Sequence, residues 1–282
     1  MNQISVIGAG LMGSQIAMCA AFSGFKVHLY DVDEQRLLTS QQQLSKQMEK
    51  YIKKGLFTEE QFEQAKNNLV LETSLSTAVE QADLVIEAIV EDLTLKRNLF
   101  QQLDELAPEH AILATNSSMI VSSMLASSTT RPDKVCNIHF FNPVFLMAVV
   151  EVVKGAHTSH ETAQAAVDFV TRIHKTPLLL QKEITGFIAN RILTKVREEA
   201  MFLLEEGVAT VEEIDLACTK ALNHPIGPFA LMDLTGLDTA YAIQKTQFEL
   251  EDDAKEPSPL LKEKLAHGQL GRKTGQGFYT YQ

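Results

Sequence analysis

Cysteine is scarce in this chain of 282 residues: Cys19, Cys136 and Cys218 lie far apart, each within an apolar run. An odd number of widely spaced cysteines argues against a disulfide framework or a metal site, and favours buried thiols in a reducing compartment. Apolar runs of 18 or more residues are also missing, as is a positively charged N-terminal leader. We therefore predict a cytoplasmic protein without a membrane span or a bound metal.

Basic residues are outnumbered, because 25 Lys and Arg stand against 36 Asp and Glu, for a net charge of −11. A nucleic-acid-binding protein normally carries a basic surface, so we predict no nucleic-acid partner. An anionic small molecule can still bind at a local basic patch or a helix N-terminus. The hydrophobic content of 45% is ordinary for a globular protein, and the length suits two domains.

Strand and helix patterns alternate through the first two-thirds of the chain. The β-rich runs lie at residues 3–7, 26–30, 69–71, 84–89, 111–115, 135–140, 148–153 and 177–180. This alternation predicts an α/β fold with a doubly wound, mainly parallel sheet. After Gly186 only helical patterns follow, at 187–206, 211–221 and 229–250. We expect a first domain at 1–185 and an all-α second domain at 186–282.

The motif Gly8-Ala9-Gly10-Leu11-Met12-Gly13 fits Gly-x-Gly-x-x-Gly, with a strand pattern before it and a helical pattern after it. In such a turn Gly8 permits the tight bend, Gly10 lets the backbone approach a pyrophosphate, and Gly13 allows close helix–strand packing. The helix N-terminus also attracts phosphates. A plain glycine turn is the alternative, but the context favours a Rossmann-type dinucleotide-binding domain.

Asp31 ends the second strand pattern, 18 residues after Gly13. This is close to the spacing of about 20 residues that places an acidic side chain on the adenosine ribose. A carboxylate there bonds the ribose hydroxyls and repels a 2′-phosphate, so we predict NAD as the cofactor and not NADP. Arg36 is near enough to weaken this preference without reversing it.

Reactive side chains lie at the ends of three predicted strands. The run at 111–115 leads into Asn116-Ser117-Ser118, the run at 84–89 leads into Glu91, and the run at 135–140 carries His139. Ligands of a doubly wound sheet gather at the carboxyl ends of its strands. Hydroxyls, an acid and an imidazole should therefore converge where the nicotinamide lies.

His139 needs an orienting acceptor if it is to act as a base. Glu151 is the candidate, because it stands alone among valines and a carboxylate is seldom buried there without a partner. Two alternatives stay open at this point. His139 can be a core histidine bonded to backbone, and Glu151 can be an edge-strand carboxylate in water.

The ordered motifs of the chain resemble those of the L-3-hydroxyacyl-CoA dehydrogenase family. Besides Asp31 they are GAGLMG, EAIVED, TNSSM, IHFFNPV, VEVVKG, TGFIANR, HPIGPFALMDLTGLD and GRKTGQGFY, spread over residues 4–281. Within that family the chain is most similar to the bacterial 3-hydroxybutyryl-CoA dehydrogenases. The resemblance implies hydride transfer between NAD and carbon 3 of a 3-hydroxyacyl-CoA, without a metal.

The resemblance also implies roles for individual residues. His139 and Glu151 match the catalytic histidine and its glutamate partner, Ser118 matches the catalytic serine, and Asn190 matches the asparagine at the substrate carbonyl. Further matches near the nicotinamide are Glu91, Lys96, Asn142 and Lys273, and the substrate-binding set is Ser118, Asn142 and Asn190.

The chain departs from the family pattern after the second strand. Relatives carry lysines there that help to hold coenzyme A, whereas this chain has Gln41-Gln42-Gln43. Lys46, Lys50 and Lys54 follow on one helical face and are the candidates for the 3′-phosphate-bearing nucleotide. A solvated surface is the alternative.

The motifs are also compatible with a dehydrogenase for a sugar acid or a longer acyl chain, and with a cofactor-binding protein that has lost turnover. The helical domain carries more apolar positions than one packed face requires, in Phe187–Glu206 and again from Phe229 to Leu237. We therefore expect a homodimer, or an assembly of dimers, joined by residues after 186, as the relatives are. A single monomeric core is the alternative.

Overall fold

The protein is described by a computed structural model for residues 1–250 and 255–281. It contains two compact units, Met1–Phe187 and Ile188–Gln282. The division lies next to Gly186, where the strand patterns of the sequence give way to helical ones.

The first unit is built on one eight-stranded sheet. Its strands are β1 (Gln3–Ile7), β2 (Lys26–Tyr30), β3 (Leu69–Glu72), β4 (Leu84–Glu87), β5 (Ile112–Thr115), β6 (Val135–Phe140), β7 (Val149–Val153) and β8 (Thr176–Leu180). They are arranged in the order β3-β2-β1-β4-β5-β6-β7-β8. Neighbours are parallel except for β6 and β7, which are antiparallel. The predicted doubly wound, mainly parallel sheet is confirmed.

Helices connect the strands of this unit. They are α1 (Leu11–Phe22), α2 (Glu34–Lys53), α3 (Glu59–Asn67), α4 (Leu75–Val79), α5 (Leu93–Leu106), α6 (Ser123–Ala126) and α7 (His160–Arg172). Side-chain caps fix several of their first turns: Asp33 accepts from Gln35 N at the start of α2, and Asp92 accepts from Leu95 N at the start of α5. Such caps bond N–H groups that have no partner within the helix.

The central strands β4, β5 and β6 are buried along their whole length. This explains their almost continuous apolar sequence, because helices cover both faces of a parallel sheet. The polar exceptions are Glu87, Thr115, Asn137 and His139, and all are buried. A polar group that is buried in this way needs a hydrogen-bond partner, and the partners of these four residues define the candidate site.

The second unit is helical in its described part, with α8 (Ala189–Glu205), α9 (Val211–Lys220), α10 (Pro228–Thr235), α11 (Leu237–Leu250) and α12 (Pro259–Ala266). Its core includes Met201, Ile214, Phe229 and Met232. The predicted single helix at 229–250 was wrong, because Gly236 adopts a φ of 99° between α10 and α11. An α-helix cannot continue through a positive φ.

All three cysteines are free thiols, and Cys19 and Cys136 are buried. Burial raises the pKa of Cys19 to about 11 and that of Cys136 to about 12, so both remain protonated at neutral pH. Among the described residues, no helix combines the length and the apolar character that a bilayer crossing requires.

Candidate active site

The glycine motif forms the turn from β1 into α1. Gly8 has a φ of 105°, and its N–H donates to the Tyr30 carbonyl oxygen at 2.8 Å. A Cβ atom on Gly13 would lie 1.9 Å from the Gly8 carbonyl oxygen, so only glycine fits this close approach. A Cβ atom on Gly10 would meet nothing within 4 Å. The backbone at Gly10 is therefore open to a ligand, as in dinucleotide-binding turns.

Asp31 joins the end of β2 to this turn. One carboxylate oxygen accepts from Ala9 N at 2.9 Å, and the other accepts from Asp33 N at 3.1 Å. A guanidinium nitrogen of Arg36 lies 3.9 Å from the first oxygen. Asp31 thus fixes the loop while it borders the cleft beside it.

That cleft has a volume of about 660 Å³. It is lined by the glycine turn, by Asp31 and Val32 after β2, and by residues 88–90 after β4. Val32 and Val90 are exposed apolar side chains at its edge. A largely apolar cleft next to a phosphate-binding turn fits the adenosine half of a dinucleotide.

His139 and Glu151 are direct neighbours across the antiparallel pair β6 and β7. His139 Nδ1 lies 2.8 Å from a Glu151 carboxylate oxygen, and both side chains are buried. The imidazole packs against Phe141 and Phe187, at ring-centroid distances of 4.7 Å and 5.5 Å. A carboxylate on Nδ1 selects the tautomer in which Nε2 can accept a proton.

Ser118 lies in the loop that follows β5, and its carbonyl oxygen accepts from Gly186 N at 2.8 Å. The neighbouring Ser117 hydroxyl donates to Glu91, which also accepts from Met119 N at 3.4 Å. The loops after β5 and β4 therefore meet as predicted. The direct side-chain contact to Glu91 is made by Ser117 and not by Ser118.

Lys96 is buried on α5, where its ammonium lies 2.5 Å from Glu87 and 3.4 Å from Glu91. Glu87 also accepts from the Thr115 hydroxyl at 2.7 Å and from Ile89 N at 2.7 Å. This network ties the ends of β4 and β5 to α5. The part of Lys96 in cofactor binding remains a prediction.

Asn142 is linked to α1 through the buried Gln15. The Gln15 amide donates to Asn142 Oδ1 at 3.4 Å and accepts from Val144 N at 2.9 Å. The loop after β6 is thus held against the helix that begins at the glycine turn.

Two predicted residues belong to the helical unit. Asn190 lies in the first turn of α8 and is half-buried. Lys273 binds both carboxylate oxygens of Asp238 at 2.6 Å.

The candidate coenzyme A lysines, Lys46, Lys50 and Lys54, are exposed on α2 and at its C-terminal end. Lys46 also borders a cleft of about 440 Å³, together with Gln41, Gln42 and Lys66. Their role likewise remains a prediction.

Sequence reasoning missed Glu87, Asn137 and Gln15. Glu87 and Asn137 each interrupt an apolar strand, which is the signal that singled out Glu151. Gln15 carries no comparable signal, because a glutamine in a helix is ordinarily exposed.

Comparison with known proteins covers both units. Residues 3–184 match the family described as the 3-hydroxyacyl-CoA dehydrogenase NAD binding domain, and residues 186–281 match the C-terminal domain. The probable 3-hydroxybutyryl-CoA dehydrogenase of Bacillus subtilis is 40% identical over 100% of this chain and 98% of its own length. The human mitochondrial hydroxyacyl-coenzyme A dehydrogenase is 40% identical over 99% of this chain and 91% of its own length.

The crystal structure of (S)-3-hydroxybutyryl-CoA dehydrogenase PaaH1 from Ralstonia eutropha is similar along its whole length. The TM-score is 0.92 at 37% identity, and the alignment covers 100% of this chain and 99% of that one. The sequence resemblance is thereby confirmed. The chain belongs to the 3-hydroxyacyl-CoA dehydrogenase family, and residues 3–184 form its NAD-binding domain.

Proposed function

We propose that this protein interconverts a short-chain (S)-3-hydroxyacyl-CoA, of the 3-hydroxybutyryl-CoA type, and the corresponding 3-oxoacyl-CoA with NAD(H). The observation that carries the proposal is the buried 2.8 Å hydrogen bond between His139 and Glu151. Such a pair is a general acid–base device, because the carboxylate orients the imidazole and stabilises its protonated form. The names of the similar proteins indicate the substrate class.

In the oxidative direction His139 Nε2 removes the proton from the 3-hydroxyl group of the substrate. NAD, when bound, supplies the hydride acceptor. Glu151 stabilises the imidazolium, while Ser118 and Asn190 hold the reacting oxygen through hydrogen bonds. In the reductive direction the imidazolium returns its proton to the 3-oxo oxygen.

The cofactor half of the proposal rests on the glycine turn and on Asp31. The open backbone at Gly10 suits a pyrophosphate, and Asp31 borders the cleft where the ribose would lie. Glu91, Lys96, Asn142 and Lys273 complete the proposed cofactor contacts. We propose that Lys46, Lys50 and Lys54 hold the 3′-phosphate of coenzyme A as exposed charges, so alanine at all three positions should raise KM for acyl-CoA with little change in kcat.

The decisive assay follows NADH oxidation with acetoacetyl-CoA and with 3-oxoacyl-CoA substrates of increasing chain length. A second assay follows NAD reduction with a sugar acid, which is the oxidative direction. We expect the highest kcat/KM with the four-carbon substrate, and a higher value with NADH than with NADPH because Asp31 repels a 2′-phosphate. Turnover of the sugar acid alone would contradict the proposed substrate. A higher kcat/KM with NADPH would contradict the role of Asp31.

We also propose a homodimer that forms through the helical unit. Several large apolar side chains of this unit are exposed, including Ile192, Phe202, Leu216 and Leu222. Ile192 and Leu222 line a groove of about 800 Å³ whose surface is mostly apolar. Phe229, Met232 and Leu237 from the second apolar set instead fill the core of the unit. The remaining exposed set supports an interface, because patches of this kind are uncommon on monomers.

Sedimentation at micromolar concentration tests the dimer. We expect a species of twice the chain mass of 31.3 kDa, and a shift towards the monomer in Ile192→Asp. Leu106→Asp, which alters an exposed leucine of the first unit, is the matched control. A single species near 31 kDa for the wild-type protein would contradict the proposal. We further propose that the protein is cytoplasmic, where its three free thiols remain reduced.

A further inference from the structure

Asn137 is a fully buried amide in the middle of β6. It stands two residues before His139 on the same strand, so the two side chains project from the same face of the sheet. Its strand neighbours are Thr115 on β5 and Val153 on β7. A valine or isoleucine would fill such a position without the cost of desolvating an amide. The polar side chain therefore requires a reason.

Three hydrogen bonds join this amide to one loop, which runs from the end of β5 to the start of α6. Asn137 Oδ1 accepts from Ser122 N at 2.8 Å. Asn137 Nδ2 donates to the Ser117 carbonyl oxygen at 3.0 Å and to that of Ile120 at 3.3 Å. These contacts bracket Ser118 on both sides.

The same loop is also bonded by the segment that follows β8. Gly186 N donates to the Ser118 carbonyl oxygen at 2.8 Å. A Glu183 carboxylate oxygen accepts from the Ser122 hydroxyl at 2.5 Å and from Ser123 N at 2.9 Å. Asn137 is the member of this network that shares a strand with His139.

We propose that Asn137 is a positioning residue that sets the place of Ser118 relative to His139. The imidazole and the amide are fixed to one rigid strand, so any movement of the serine loop relative to His139 must break bonds to Asn137. The inference rests on the proposed function, in which Ser118 and His139 act on the same oxygen. Misplacement of a catalytic group by about 1 Å can lower the rate by roughly 10²-fold.

The experiment uses Asn137→Ala in the full chain, with NADH and acetoacetyl-CoA. We expect kcat to fall roughly 10- to 100-fold while KM changes less than about threefold. The loop would no longer hold Ser118 in place relative to His139, but the binding surfaces would remain. In the Ser118→Ala background the same substitution should cause no further fall in kcat, although it still lowers Tm. A purely structural asparagine would not produce that difference.

Thr158→Val is the matched control, because Thr158 is buried and bonds the other end of β6. Its hydroxyl donates to the Val135 carbonyl oxygen at 2.7 Å and accepts from Gly155 N at 3.1 Å. We expect this variant to lose stability and to keep kcat within about twofold. An equal fall in kcat for Thr158→Val, or an unchanged kcat for Asn137→Ala, would overturn the proposal. If Asn137→Ala does not fold, Asn137→Ser replaces it, because its shorter hydroxyl cannot bond all three partners.

Amide hydrogen exchange separates this inference from the proposed function. Ser122 N should exchange faster in the Asn137 variant than in the wild-type protein, whereas the amides of β4 should keep their protection. If the wild-type protein is inactive but the exchange pattern is as expected, the proposed function is contradicted and the contacts of Asn137 to the serine loop are supported. Unchanged exchange at Ser122 N would overturn the positioning role of Asn137.

Discussion

Glu87 on β4 and Glu151 on β7 are both fully buried in the same sheet, and each is bonded to a basic side chain. Their partners differ in kind. Glu87 faces the Lys96 ammonium, and it is further bonded by the Thr115 hydroxyl and by Ile89 N. Glu151 faces the imidazole of His139.

The difference between the two pairs is the difference between a fixed charge and a transferable proton. The Lys96 ammonium and the Glu87 carboxylate are opposite charges 2.5 Å apart, so we interpret them as a structural ion pair. Imidazole gains and loses a proton near neutral pH. Similar burial therefore yields a structural pair at β4 and a candidate acid–base pair at β6 and β7.

The largest expected effect is on turnover, through His139→Gln. We expect kcat to fall by about 10²–10⁴-fold, because glutamine cannot accept the proton that the imidazole takes from the substrate. Glutamine retains a donor for Glu151, so NADH binding, followed by fluorescence, should be preserved. Near-native kcat in this variant would show that His139 is a core histidine.

Lys96→Met tests the structural ion pair between Lys96 and Glu87. Removing the lysine leaves the Glu87 carboxylate buried without its counter-ion, so we expect the free energy of unfolding to fall by about 3–5 kcal/mol. The double variant Glu87→Gln/Lys96→Met should recover much of that loss, because it no longer has an unpaired buried carboxylate at position 87. Urea unfolding measures both, and a loss below about 1 kcal/mol in the single variant would contradict a buried ion pair.

Glu151→Gln weakens the acid–base pair without deleting the base. We expect kcat to fall by about 10- to 100-fold, since the imidazolium loses its stabilising anion. The pH profile of kcat/KM in the oxidative direction should shift to lower pH, because the protonated imidazole becomes less stable. An unshifted profile would mean that Glu151 does not act on the proton of His139.

Arg197 on α8 extends the comparison to a buried charge with one unpaired nitrogen among the described residues. It is 6% exposed, and its Nε has no hydrogen-bond partner within the described residues. Burial lowers the pKa of Arg197 to about 10. A cation whose pKa is lowered by folding opposes folding fully at every pH below its folded pKa, and this cost decreases as the pH rises from that value to the higher pKa of the unfolded state.

Arg197→Met should therefore raise the free energy of unfolding at neutral pH by about 1–3 kcal/mol. Lys195→Met on the same helix, where the ammonium is exposed, should change it by less than about 0.5 kcal/mol. Destabilisation by Arg197→Met would indicate that the guanidinium is bonded in the assembled protein.

Much of the first unit could be predicted from sequence, because its signals are local. The strand before Gly8, the helix after it and Asp31 at the end of β2 all lie where the patterns put them. Glu151 was paired with His139 from its isolation among valines. The break at Gly236 could not be predicted with the same assurance, because a glycine in a helical pattern is compatible with a continuous helix.

The hydrogen bonds of Glu87 and Asn137 were beyond sequence reasoning for a different reason. Their partners lie on other strands, helices and loops, and for Glu87 the side-chain partners Lys96 and Thr115 are 9 and 28 residues away. Such partners depend on strand register and helix placement, which no local pattern encodes. A lone polar residue shows that a partner exists, but it does not identify that partner.

The antiparallel ladder between β6 and β7 makes the candidate catalytic pair a property of sheet register. His139 and Glu151 are opposed because Asn137 faces Val153 and Phe140 faces Val150 along the same ladder. The connection at residues 141–148 can therefore gain or lose residues in engineered variants while the pair stays intact. One residue inserted within β6 or β7 would instead turn one member of the pair to the opposite face of the sheet.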